Sequence, residues 1–97
     1  MGFEYRIIAA FTKKQVVDIQ GVLENNVGFD KKYEFDNKMF YDFRTIDNKG
    51  TMPNICVFLE SDGIYICRYD TPNIWENLQE LKEHLDNKGL GYSVLDY

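Results

Sequence analysis

The sequence is poor in the residues that carry most catalytic and metal-binding chemistry. Its 97 residues include one histidine, His84, and two cysteines, Cys56 and Cys67. The motifs HExxH, CxxC and GxGxxG are absent, as are the phosphate-binding loop and the EF-hand loop. Any triad of nucleophile, histidine and acid would depend on His84, which the predicted helix places at the edge of the core. We therefore expect a protein that is not an enzyme and that binds no cofactor and no metal ion.

The two cysteines do not predict a disulfide. A two-residue turn at Asp62-Gly63 would place Cys56 opposite Tyr69. The same register places Phe58 opposite Cys67, so the two sulfur atoms lie one diagonal apart on a shared face of the sheet. A diagonal separation is a poor geometry for a disulfide bridge, and we expect two free, mostly buried thiols.

Long apolar runs are also missing. No stretch of about 18 apolar residues occurs, which argues against a membrane-spanning helix. The N-terminal residues lack the basic and then apolar layout of a signal peptide. With free thiols and neither kind of segment, we expect a cytoplasmic protein that does not bind a membrane. A chain of 97 residues is long enough for its own core, and we predict a single domain over 1–97.

Basic residues are scarce in the last third of the chain. Residues 1–59 contain eight acids and eight bases, whereas residues 60–97 contain eight acids and three bases, which accounts for the net charge of −5. No basic patch is available to displace counterions from phosphates, so we predict no direct binding of nucleic acid. An acidic surface favours a basic partner instead.

The first strand and the first helix have clear signals in the sequence. Residues 3–11 predict a strand, and Thr12 then begins the capping box Thr-Lys-Lys-Gln. Apolar residues follow at helical spacing as far as Val27, and Gly28 is the predicted stop. Gly21 lies inside this helix at a cost of about 1 kcal/mol relative to alanine. It either permits close packing against a neighbour or is a tolerated weakness.

The middle of the chain predicts strands. Alternation with period two over residues 33–45 predicts one long or bulged strand with a solvated face. A hairpin at Asp36-Asn37 is the alternative, but the alternation persists through that dipeptide. Residues 54–69 predict a β-hairpin in the buried middle of the sheet, with Ser61 opposite Ile64 across the turn.

The end of the chain predicts a second helix and a closing strand. Thr71 is the predicted N-cap, and Pro72 occupies the first turn, where its missing N–H costs nothing. The apolar stripe of this helix consists of Ile74, Leu78, Leu81 and Leu85. Gly89 ends the helix, and residues 90–97 form the last strand. The order β-α-β-β-β-α-β predicts an α+β fold, a ferredoxin-like sandwich with two helices packed on one face of an antiparallel or mixed sheet.

Two surfaces are candidates for binding a partner. In the first, Trp75 lies beside three carboxylates behind the apolar stripe of the second helix: Glu76, Glu80 and Glu83. These carboxylates are either an ordinary solvated face or a docking surface for a basic protein. Trp75 either seals the edge of the core or anchors an interface.

The second candidate surface consists of Phe40 and Tyr41. Phe40 interrupts a set of charged residues on the predicted solvated face, so in an unbroken strand it is exposed. At a bulge it would turn inward. Aromatic residues are favoured as anchors of protein interfaces.

These observations favour a small acidic, non-enzymatic module that binds a basic protein. Small acidic single-domain inhibitors, including bacterial immunity proteins that neutralise toxic nucleases, have this size and charge. Frequent Asn, Lys, Ile and Tyr residues are typical of an AT-rich bacterial or phage genome. A second interpretation stays open: a small-molecule-binding or sensory domain, as a monomer or a homodimer, with a pocket between the sheet and the helices lined by the cysteines and several tyrosines.

Overall fold

The computed structural model describes residues 2–60 and 62–96. It shows a six-stranded antiparallel sheet with both helices on one face. The elements in chain order are β1 (Phe3–Ile8), α1 (Lys13–Glu24), β2 (Phe29–Phe35), β3 (Lys38–Phe43), β4 (Ile55–Glu60), β5 (Gly63–Arg68), α2 (Gln79–Asn87) and β6 (Ser93–Asp96). The strand order across the sheet is β2-β3-β4-β5-β1-β6. The α+β class and the antiparallel sheet are confirmed. The ferredoxin-like topology is not, because the described chain has one strand more than predicted.

The additional strand comes from a hairpin within residues 33–45, where one strand was expected. Asp36 and Asn37 have φ angles of 55° and 62°, the left-handed conformation that both central residues of a type I′ turn require. Aspartate and asparagine tolerate that conformation better than other non-glycine residues. The turn reverses the chain and places Tyr33 opposite Phe40. The expectation of one continuous strand is therefore wrong.

The central hairpin exists as predicted, but its register differs by two residues. Glu60 pairs with Gly63, so Gly63 belongs to β5 rather than to the turn. Gly63 also faces Ile8 of β1, and a Cβ atom at this position would overlap the Ile7 carbonyl oxygen. The predicted pairing of Ser61 lies outside the described residues, and Ile64 pairs with Leu59.

Helix α1 begins as the sequence predicts and ends earlier. The Gln15 backbone N–H donates to the Thr12 hydroxyl over 3.1 Å, and the Gln15 side chain accepts from the Thr12 backbone N–H over 2.9 Å. The capping box is thus confirmed. The helix ends at the C-cap Asn25, three residues before Gly28, and Val27 is 98% exposed instead of packing in the core.

Helix α2 begins at Gln79, seven residues after the expected first turn at Pro72. The intervening segment, residues 73–78, forms two consecutive turns, in which the Glu76 N–H donates to the Asn73 carbonyl and the Leu78 N–H donates to the Trp75 carbonyl. Asn77 has a φ angle of 64°, which no helix interior can accommodate. The helix is therefore shorter than predicted, and Glu76 and Trp75 precede it.

The core lies between one face of the sheet and the two helices. Thirteen apolar side chains form it: Tyr5, Ile7, Ile19, Leu23, Tyr41, Phe43, Ile55, Val57, Ile64, Ile66, Leu78, Leu81 and Leu85. Because side chains alternate along each strand, the neighbouring residues of the same strands point to the opposite side. No described element packs on that side. We call it the open face.

We expect Gly63→Ala to lower the free energy of unfolding by about 1–3 kcal/mol, because the added methyl group must displace the backbone of β1. Urea unfolding monitored by circular dichroism measures the change. Gly91→Ala is the matched control, since a Cβ there meets no described atom within 4 Å. Equal stabilities of the two variants would contradict the close approach of β5 to β1.

We expect Gly21→Ala to raise the free energy of unfolding by about 1 kcal/mol. A Cβ at Gly21 meets no described atom within 4 Å, so this glycine is a tolerated weakness of α1 and not a packing requirement. The same urea titration measures the gain. A loss of stability would show that a neighbour packs closer to this helix than the structure indicates.

Candidate functional site

A row of aromatic side chains crosses the open face. Tyr33, Phe40, Phe58 and Tyr65 come from four neighbouring strands, and we call them the aromatic row. The rings of Tyr33 and Phe40 are stacked, with centroids 5.5 Å apart and planes 7° from parallel. The Phe40 and Phe58 centroids are 4.8 Å apart, and those of Phe58 and Tyr65 are 4.6 Å apart. Each ring thus packs on the next.

Strand register creates this row. Phe40 pairs with Tyr33 on β2 and with Phe58 on β4, and Phe58 pairs with Tyr65 on β5. Directly opposed residues on one face of antiparallel strands are close enough for their rings to touch. Phe35 extends the aromatic surface, with its ring edge-on to Phe40 at 6.2 Å.

The aromatic surface is accessible at its β2 end. Phe35 is 67% exposed and Tyr33 39% exposed, whereas the rings of Phe40, Phe58 and Tyr65 are half-buried by their neighbours. No described element of the chain covers them. Mutual packing holds the rings in place, so a partner would meet an ordered apolar surface and not a set of mobile side chains.

Charged residues surround the aromatic row in balanced numbers. Glu60 bridges Arg6 and Lys38, with N–O distances of 2.5 and 3.3 Å. Lys38 also lies 4.9 Å from the Phe58 ring centroid, and Lys31 lies 5.7 Å from that of Tyr33. Glu4 and Asp42 also lie on this face, so its strands carry three acids and three bases: Glu4, Asp42, Glu60, Arg6, Lys31 and Lys38. The net charge of −5 is therefore located elsewhere on the molecule.

A polar cluster with the two thiols lies next to the aromatic row. Cys56 and Cys67 face each other across β4 and β5, and Asp42 pairs with Cys56 from β3. The Tyr33 hydroxyl donates to Asp42 Oδ1 over 3.3 Å. Burial and the neighbouring Asp42 carboxylate raise the pKa of the Cys56 thiol to about 12. Burial, together with Cys56 and Asp42, also raises the pKa of Tyr33 above its ordinary value.

The structure separates the predicted partner-binding residues. Phe40 lies in the aromatic row, but Tyr41 is 1% exposed and packs in the core, so its side chain is not part of a surface. Trp75 is half-buried, with its ring edge-on to Tyr92 at 6.4 Å. Both Trp75 and Phe40 are thus partly accessible, at sites on different elements.

The three predicted carboxylates are exposed, but they do not share one helix. Glu80 and Glu83 lie one turn apart on α2, and Glu76 lies in the preceding segment. Glu80 accepts from the Asn26 side-chain amide over 3.3 Å. Among residues 2–60 and 62–96, none of the three forms an ion pair with a basic side chain.

Arg68 positions the segment that carries Glu76 and Trp75. It is fully buried on the helix side of the sheet and donates to both carboxylate oxygens of Asp70 over 3.2 Å. It also donates to the carbonyl oxygens of Ile74 and Glu76 over 2.9 and 2.5 Å. Sequence reasoning missed this role, although an arginine at a core-facing position of a buried strand was the available signal.

A cavity of about 520 Å³ borders the core, separate from the open face. It is formed where α1 ends, where β3 and β4 meet their loop, and where α2 begins. Its polar wall includes Asn26, Asn54 and Glu80. Asn26 donates to the Asn77 carbonyl and to Glu80, and Asn54 accepts from the Thr45 N–H, so these groups already have partners. The cysteines do not line it, because they lie on the open face.

Within residues 2–60 and 62–96, no group of three or more His, Cys, Asp or Glu side chains is arranged to hold a metal ion. Neither described helix is long and apolar enough to cross a membrane. Comparison with protein-family models, with curated proteins and with solved structures finds no match to this chain.

We expect Arg68→Leu to lower the free energy of unfolding by about 2–5 kcal/mol, because the carbonyls of Ile74 and Glu76 lose their donor and the Asp70 carboxylate loses its partner. The emission of Trp75, the one tryptophan in the chain, should shift to longer wavelength as the segment loosens. Lys13→Leu, at an exposed position of α1, is the control. A wild-type emission spectrum in a folded Arg68→Leu variant would show that the arginine does not position this segment.

Proposed function

We propose that this protein is a non-enzymatic protein-binding module that contacts its partner through the aromatic row and Phe35. The observation that carries the proposal is the packed row of four aromatic rings on a sheet face that no described element covers. A large apolar surface that persists on the outside of a folded chain marks an interaction site more often than chance exposure does. Tyrosine and other aromatic residues are common anchors of protein interfaces.

The dimensions of the open face suit a small protein interface. Six strands spaced about 4.8 Å apart and about 20 Å long give a face on the order of 500 Å² in projection. Side-chain relief makes the accessible area larger, which brings it toward the roughly 800 Å² that each partner buries in a standard interface. Because the rings already pack on each other, little side-chain entropy is lost when a partner covers them.

The partner that we propose is a basic protein. The open face is balanced in charge, so the acids that give the net charge of −5 lie largely outside the contact surface. Such charges act at a distance: they raise the rate of encounter with a basic protein and lower it with an acidic one. Glu76, Glu80 and Glu83 are exposed carboxylates without a paired base among the described residues, and they contribute to this attraction. An inhibitor that neutralises a basic toxin is one function of this class.

Nucleic acid is the less favoured occupant of the aromatic row. Proteins that bind single strands stack bases on exposed aromatic rings, as this row would permit. They also follow the phosphate backbone with a basic groove. Here Arg6 and Lys38 are both engaged by Glu60, and the molecule as a whole is acidic. The charge therefore supports a protein partner.

A second candidate function is the binding of a small molecule in the cavity of about 520 Å³. Its volume falls in the range of ligand pockets, and Phe43 and Ile55 give it an apolar floor. A rise in melting temperature with a compound from a screen would support this function. Ile46→Arg, at an exposed wall position, should abolish that rise if the compound occupies the cavity.

Capture of partners from a lysate of the native host, quantified by mass spectrometry, tests the main proposal. Tagged wild-type protein is compared with Tyr33→Ser/Phe35→Ser, which removes the two most exposed rings among the aromatic row and Phe35. We expect the wild type to retain a basic protein and the double variant to retain at least about tenfold less, since loss of two interface anchors costs more than about 1.4 kcal/mol. Val17→Ser/Val27→Ser removes exposed apolar side chains outside the aromatic row and should leave capture unchanged.

The triple variant Glu76/Glu80/Glu83→Lys distinguishes long-range electrostatic attraction of the partner from direct contact with the aromatic row. We expect it to reduce capture of the same basic protein at low salt and to approach the wild type at high salt, because salt screens exposed charges. The aromatic double variant should stay defective at both salt concentrations. If the wild type and the aromatic variant capture equal amounts of the basic protein, the open face is not its binding site. Recovery of tagged protein with its own untagged copy would indicate a homodimer instead.

A further inference from the structure

The two thiols of the open face are directly opposed. Cys56 on β4 is the register partner of Cys67 on β5. Two residues along the hairpin, the Tyr69 N–H donates to the Asn54 carbonyl over 2.9 Å. Hydrogen-bonded and non-hydrogen-bonded pairs alternate along antiparallel strands, so the cysteines form a hydrogen-bonded pair with Cα atoms about 5.5 Å apart. That separation lies within the range of roughly 4.4–6.8 Å found in disulfides.

We propose that Cys56 and Cys67 form a reversible intramolecular disulfide across β4 and β5 when the protein meets a small-molecule disulfide such as oxidised glutathione. The inference does not depend on the proposed binding function. It follows from a register that places the two cysteines opposite each other on one face of the sheet, where both are partly accessible.

Each thiol also has polar or backbone neighbours of its own. Cys56 is oriented toward Asp42 and the Tyr33 hydroxyl, whereas Cys67 contacts the Tyr69 side chain and lies against Gly2. Formation of a disulfide exchanges these neighbours for a bond between the two sulfur atoms. The backbone fixes only the distance between the Cα atoms, which is suitable.

Geometry also indicates that the bond is easily reduced. Directly opposed residues have Cβ atoms about 4.5–5.5 Å apart, the larger value applying to hydrogen-bonded pairs. A relaxed disulfide prefers roughly 3.8 Å. Closing this gap strains the sheet, and strained, accessible disulfides are the labile ones. We therefore expect a bond that forms under oxidising conditions and is lost when reduced glutathione predominates.

The order of attack follows from the surroundings of the two thiols. Asp42 is the register partner of Cys56 on β3, and burial together with this carboxylate raises the pKa of the Cys56 thiol, so the attack on oxidised glutathione begins at Cys67. This step forms a mixed disulfide on Cys67 and releases one glutathione thiolate. Cys56 then gives up its proton to solvent and attacks the Cys67 sulfur, which releases the second glutathione as its thiolate. In total, two protein thiols are oxidised, and one oxidised glutathione is reduced to two thiols.

Equilibration of the reduced protein in glutathione buffers of increasing oxidation, followed by alkylation and intact-mass measurement, tests the inference. We expect the wild type to pass from two alkylated thiols to none, without glutathione bound at the oxidised end. Cys56→Ser should stop at one glutathione adduct, because the resolving thiol is missing. Two alkylated thiols throughout, a stable adduct on the wild type or a disulfide-linked dimer would overturn the proposal.

A matched variant shows whether the folded register is responsible. Cys67→Ser/Tyr65→Cys keeps two thiols on the same face and strands but places them one diagonal apart, at about 7–8 Å. We expect this variant to keep both thiols in the buffer that oxidises half of the wild type. If it forms an intramolecular disulfide as readily, the bond arises in an unfolded chain and the inference is wrong. In urea, the wild type and the variant should form the intramolecular disulfide to the same extent, because the register of the folded sheet is lost.

Discussion

The close approach of β5 to β1 at Gly63 is the constraint on which the arrangement of the sheet depends. Only a residue without a side chain can lie against the Ile7 carbonyl, so Gly63 becomes the first residue of β5 and pairs with Glu60. Every pair further along the central hairpin follows from that contact. Phe58 meets Tyr65, which completes the aromatic row, and Cys56 meets Cys67. A register shifted by two residues would retain both faces of the sheet and break both sets of contacts.

The sequence predicts which helices and strands form better than it predicts where they begin and end. The capping box at Thr12 was predictable, because it has a local signal that tertiary contacts do not override. The central hairpin was predictable as an element, but its register was not, because the contact of Gly63 with β1 moves that residue from the expected turn into β5. The start of α2 was not predictable either. Thr71 and Pro72 are good starting residues, but the buried guanidinium of Arg68 binds the carbonyls of Ile74 and Glu76 and holds the segment in turns. A contact of this kind between distant elements has no local signature.

The candidate site was predictable only in part, for a related reason. Phe40 is an anomaly in its alternating segment, but the sequence does not identify its neighbours on the sheet unless the hairpin at Asp36 and Asn37 is known. A two-residue turn changes which residues of β2 and β3 share a face, and so Tyr33 and Phe35 join Phe40 on the open face. Tyr41, the adjacent residue, is directed to the core by the same alternation.

In the binding mode that we propose, charge and contact surface are separated, and the separation has a physical reason. A carboxylate at the centre of an interface must lose its water, and the attraction it gains often fails to offset that loss. Acids outside the contact area keep their hydration and still attract a basic partner over about a Debye length, roughly 8–10 Å at ordinary salt. Under this proposal, the aromatic row determines the strength of binding and the exposed acids determine the rate of encounter. Substitutions of the two kinds should therefore act on different rate constants, the aromatic ones on dissociation and the acidic ones on association.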